Sequence, residues 1–150
     1  MDINFDKSLS RLAAIQVLYA LDSKEEFEEN IIDEEIKNIE KYYTELHNKN
    51  EIQKKLNPKF LKRLVKFTIQ NLVKINSIIN ANINKTKPNT KINSLLKSIL
   101  RIGICEISHF KTPPKVTINE YVKITKNFFN SEEIGFVNAL LDAVKNTLKA

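Results

Sequence analysis

Apolar residues recur at three- and four-residue steps through most of the chain, and that period restricts the fold to packed helices. From Leu12 to Leu21 only Gln16 is polar, which predicts a helix buried on most of its surface, capped at its start by Asp6 or Ser8. Residues 22–56 are charged, yet Ile31, Ile32, Ile36, Ile39 and Tyr43 keep helical spacing and predict an amphipathic helix with an acidic outer face. Asn57-Pro58 is a start signal, because Asn accepts a bond from an orphan amide and proline at the first helical position lacks only a redundant donor. Phe60, Leu61, Leu64, Val65, Thr68, Leu72 and Ile75 follow as a stripe, which runs on through Ile78 and Ile79 in a second short helix.

The polar stretch Lys85 to Lys91, with Pro88 inside it, predicts a break. Beyond it a helix is expected over Leu95 to Ile107. Pro113-Pro114 predicts a turn, and Thr117 with Glu120 reads as a capping box for a helix that turns Ile118, Tyr121, Val122, Thr125, Phe128 and Phe129 inward. Ser131 opens a last helix whose core face is Val137, Leu140, Leu141, Val144 and Leu148. No strand-turn-strand pattern stands out. The expected fold is all-α, with about seven helices in one domain over 1–150: a helical subdomain over about 1–85 and another over about 86–150.

Several functions fall away. Two glycines among 150 residues cannot build the usual glycine-rich phosphate loop. The two histidines, His47 and His109, lack Cys or paired carboxylates at metal spacing, so neither a metal nor a catalytic residue is expected. No apolar run approaches the roughly 18 residues a membrane span needs. The segment Met1–Ser8 lacks a signal-peptide core, and the lone Cys105, read as a small core residue, cannot form an intrachain disulfide; the missing core and the missing disulfide point to the cytoplasm. Charge is more telling. Residues 1–51 carry 13 acids and 6 bases, net −7, whereas residues 52–150 carry 5 acids and 18 bases, net +13. Such asymmetry suits either a polyanion-facing portion with a separate acidic face or a lysine-rich solvated surface.

Four motifs then carry a resemblance. Leu100-Arg101-Ile102-Gly103 with Glu106 is similar to the Leu-Arg-Ile-Ala-x-x-Glu helix of the NusB family. Pro114-x-Val116-x-Ile118-Asn119-Glu120 resembles that family's turn and helix start, and Phe136-Val137-Asn138-Ala139-Leu140-Leu141-Asp142 its Phe-Val-Asn-Gly-x-Leu-Asp. Arg11-x-x-Ala14-Ile15-Gln16-x-Leu18-Tyr19 resembles its first helix. The likeness is good over 95–148, fair over 8–21 and poor over 22–91. It implies two packed helical subdomains without cofactor, not an enzyme, acting in transcription antitermination on boxA RNA with the ribosomal protein NusE in the elongation complex.

The resemblance implies RNA contacts at Lys7, Arg11, Lys115, Asn119, Phe136 and Asn138, and partner contacts at Tyr19, Leu96 and Lys97. The residues leave alternatives open: Lys7, Arg11 and Lys115 either contact phosphate or are plain solvated surface charge. Phe136, one position before a core residue, either stacks on an unpaired base or packs between helices. Asn119 and Asn138 bond either to base edges or to neighbouring backbone. Tyr19 either offers its hydroxyl to a partner or enters the core. Arg101 and Glu106, five apart, each need a partner elsewhere and are read as bracing the two subdomains rather than acting chemically. The chain also departs from the pattern. Lys7 and Arg11 are all that remains of an arginine cluster, Leu96 replaces a frequent acid, and Phe67 and Ala139 stand where glycine is common. Two other readings stay open: an RNA-targeting domain of a methyltransferase, against which stands an end at Ala150 without a donor-binding βα unit, and a helical adaptor or homodimer recognising protein through the acidic 22–51 segment.

Overall fold

A computed structural model describes residues 5–86 and 92–148. The first residues of the segment read for a signal peptide, and most of the polar break at 85–91, lie outside them. The fold is all-α. Seven helices are described: α1 (Lys7–Lys24), α2 (Glu29–Asn48), α3 (Pro58–Gln70), α4 (Leu72–Thr86), α5 (Ser94–His109), α6 (Pro114–Lys126) and α7 (Ser131–Leu148). Two short strands, β1 (Phe5–Asp6) and β2 (Lys55–Leu56), pair in parallel. Two residues are too few to show the alternation that marks a strand in sequence, so this pairing had no signal. The chain forms two compact units, residues 1–66 and 67–150, so the division falls within α3 rather than near residue 85. The reason is α4, which packs on α5 and α7 and so belongs to the second unit.

In the first unit α1 and α2 pack together, with β2 against both. Ala13, Ala14, Ile15, Val17, Leu18 and Leu21 are buried along α1, while α2 contributes Ile32, Ile36 and Tyr43. Gln16, the one polar residue of that run, accepts a 2.6 Å bond from the Tyr43 hydroxyl and so leaves no orphaned group. Asp6, not Ser8, caps α1, accepting from the Leu9 amide at 2.7 Å. Asn57 caps α3 through the Phe60 amide at 3.1 Å, as Asn57-Pro58 predicts. Ser10 joins the two helix starts: wholly buried, it accepts from the Asn57 amide at 2.7 Å.

Asp6 supports a prediction about pH. Partial burial alone would raise its carboxyl, but the bonds from Lys54 and the Leu9 and Ser8 amides, with the Lys54 charge, outweigh it and hold the group below 3.8. Asp6→Ala should lower stability by about 1 kcal/mol at neutral pH, the usual loss of an N-cap. A carboxyl lowered in the folded state contributes stability above its unfolded value and loses it as pH falls through the folded one. The gap between parent and variant in thermal melts should therefore close below pH 3.8. A gap unchanged by acid would refute this account of the cap.

In the second unit α5 is the central element, packed against α4, α6 and α7. Ser98 through Ile107 are all buried. Gly103 permits close approach: a Cβ there would lie 3.2 Å from Leu141 Cδ2 and 3.4 Å from Tyr121 Cγ. Polar groups on this helix find partners nearby. The Tyr121 hydroxyl donates to Glu106 at 2.8 Å, and Arg101 Nε donates to Asn76 at 2.8 Å. Cys105 is buried beside Thr68, and that burial pushes its thiol up to about 11, as befits a core residue.

Two local expectations are corrected here. Thr117 is not a cap. Pro113 stands at the N-cap and Pro114 in the first turn, so α6 begins earlier, and the buried Thr117 hydroxyl donates back to the Pro113 carbonyl at 3.3 Å. Half of a capping box occurs instead before α7, where Glu133 accepts from the Asn130 amide at 3.1 Å. Phe128 and Leu148 are exposed, at 47% and 53%, because α6 ends at Lys126 and α7 runs past its core contacts.

Candidate RNA interface

The first unit holds Lys7, Arg11 and Tyr19. Lys7 is exposed in the first turn of α1, its ammonium 5.1 Å from the centroid of the Phe60 ring. Arg11, one turn later, lies over the same ring at 5.2 Å. The two cations thus share one aromatic surface, a contact worth roughly 0.5–1 kcal/mol at an exposed site such as that of Lys7. They differ in access. Arg11 is only 4% exposed, so in this arrangement its guanidinium serves packing and leaves Lys7 as the accessible cation of the pair. Phe60 was legible as a core residue, but nothing in the sequence marked it as the shelf beneath both cations. Ser10 occupies part of the thinned basic cluster, and its burial and its bond from Asn57 commit that position to joining α1 and α3. Tyr19 is 42% exposed on α1, which excludes the core reading.

The second unit holds the remaining residues. Lys115 and Asn119 are exposed and four residues apart on α6, so they share one solvent face, away from buried Ile118, Tyr121 and Ile124. Phe136 is half-buried beside the core residue Val137, and Asn138 is exposed. These two are two residues apart on α7, which turns them to opposite flanks, about 160° apart around the axis. One unpaired base therefore cannot use both. Lys97 is half-buried on α5, but Leu96 is 6% exposed and fills the core, so it cannot be a partner contact as the unit stands. Among the described residues no cluster of His, Cys, Asp or Glu is placed to hold a metal, and no helix is long and apolar enough to cross a membrane.

These features define a small all-helical protein whose candidate contacts are cationic, amide and aromatic side chains on helix surfaces. Residues 8–146 match the NusB family. The transcription antitermination protein NusB of Rickettsia bellii (strain OSU 85-389) is 36% identical over 146 residues, covering 95% of this chain and 92% of its own. The Rickettsia rickettsii (strain Sheila Smith) protein of the same name is 32% identical over 145 residues, covering 92% and 90%. Among solved structures, NusB of T. maritima superposes with a TM-score of 0.73 at 20% identity, covering 96% of this chain and 93% of its own. A chain from a complex of antitermination factors NusB and NusE with dsRNA gives 0.67 at 22%, covering 94% and 96%. The chain belongs to the NusB family. It is thus a transcription antitermination factor and not an enzyme.

Proposed function

We propose that this protein binds boxA-type RNA jointly with NusE during ribosomal RNA transcription, as part of the elongation complex in the cytoplasm. Family membership over residues 8–146 carries the reading, and the similar fold found in a complex of NusB and NusE with dsRNA supports it. The RNA contacts are Lys7 on α1, Lys115 and Asn119 on α6, and Phe136 or Asn138 on α7. Tyr19 and Lys97 serve the protein partner.

The burial of Arg11 sharpens the expected behaviour. With one accessible cation left between residues 7 and 11, the isolated chain has few phosphate contacts there and binds RNA weakly. NusE adds a second RNA-binding surface, and two linked weak sites gain through effective concentration. Labelled boxA RNA should bind the mixture at least about tenfold more tightly than this chain alone, a coupling of about 1.4 kcal/mol. By linkage, RNA must tighten the protein pair by the same factor. Equal affinity for the mixture and for NusE alone would overturn the proposal.

A further inference from the structure

We propose that the solvent face of α3, which carries Lys59 and Lys62, is a track for RNA phosphates. This rests on the RNA-binding reading above. The helix reads PKFLKRLVKFTIQ, with four cations and no acid. Phe60, Leu61, Leu64, Val65 and Thr68 are buried, so Lys59, Lys62, Arg63 and Lys66 fall together on the opposite side. Residues three and four apart on a helix have Cβ atoms about 5–6 Å from one another, and like charges so placed repel at roughly 0.2–0.5 kcal/mol per pair. Lys59, in the first turn, also sits at the positive end of the helix dipole. Nothing within α3 offsets either effect.

Relief from outside the helix comes at its C-terminal end. Lys66 donates to Asp33 at 2.6 Å and to Glu29 at 3.0 Å, both on α2. Asp33 also feels Lys62, at longer range. At the other end the arrangement adds charge instead, because Lys7 is held over Phe60, the residue after Lys59. Asp6, the nearest acid in sequence to Lys7, is engaged by Lys54 at 2.9 Å. Positive charge is thus gathered, exposed and mutually repelling, where α1 and α3 begin. A run of phosphates on one strand relieves that repulsion and takes contacts from Lys59 and Lys62, which lie three residues apart on one face. It also supplies contacts that the thinned cluster on α1 lacks.

The test is a salt series of boxA RNA binding by the full chain saturated with NusE. It compares the parent with a Lys59→Gln/Lys62→Gln variant and with a Lys37→Gln/Lys41→Gln variant, which removes the same charge from exposed positions on α2. Log affinity against log salt should become shallower by roughly 0.7 for each α3 lysine removed, the single-strand value per phosphate contact. The α2 variant should keep the parent slope, and the α3 variant should melt no lower than the parent. A parental slope in the α3 variant, or equal changes in both variants, overturns the track while leaving RNA binding intact. A parent mixture that binds RNA no better than NusE alone overturns both.

Discussion

Replacing Leu141 with alanine is expected to lower stability by roughly 2–5 kcal/mol, as for other fully buried leucines. Within that loss the four-protein comparison with Gly103→Ala is more informative. In the parent, alanine at 103 gains about 1 kcal/mol of helix propensity. It also brings a Cβ to 3.2 and 3.3 Å from the two Leu141 methyls and 3.4 Å from the Tyr121 ring. The two Leu141 contacts are tighter than side chains ordinarily accept, whereas the Tyr121 one is near ordinary contact, so the gain and the crowding nearly cancel and Gly103→Ala changes stability by under about 1 kcal/mol. In the Leu141→Ala background the crowding atoms are gone, and the added methyl enters the space they left. The same substitution should then stabilise by about 1 kcal/mol or more. Urea unfolding of the four proteins measures the coupling. Additivity within about 0.5 kcal/mol would show that Gly103 and Leu141 are not packed as described.

The parts of this fold legible in the sequence are those whose causes are local. Asn57-Pro58 declares the start of α3 because cap and proline act within one turn, and the burial of Phe60, Leu61, Leu64 and Val65 follows from spacing alone. Where two local signals compete, the sequence does not say which prevails. Thr117 with Glu120 has the form of a capping box, but Pro114 starts the helix a turn earlier and removes the need for one. The site was less legible because its character depends on contacts distant in sequence. Arg11 reads as a surface cation, and only the approach of Phe60 shows it to be covered. Leu96 lies at a position that resemblance associates with a partner surface, yet its own chemistry takes it into the core. Phe136 and Asn138 sit in one motif, but helix geometry sends them to opposite flanks. Motif membership locates a region of the surface; which atoms are available there is settled by packing.

That distinction governs what should happen to RNA binding when Phe136 and Lys7 are changed. Phe136 is half-buried at the edge of the α7 core face, so part of its ring is open to a base. Stacking of an unpaired base on such a ring is worth roughly 1–3 kcal/mol, and its loss should weaken single-stranded RNA binding by about 5- to 150-fold. Stacking releases no counterions, so Phe136→Ala should leave the salt slope as in the parent. Lys7→Ala should do the reverse, with a smaller loss of affinity and a slope shallower by about 0.7. Arg11→Ala, given its burial over Phe60, should lower the melting temperature more than it alters the slope. Phe136→Leu separates stacking from packing. Leucine keeps most of the apolar contact beside Val137 but has no π face, so it should recover the stability that alanine loses while still binding RNA weakly. If Phe136→Leu binds like the parent, the ring acts only as packing, and its place in the RNA interface falls.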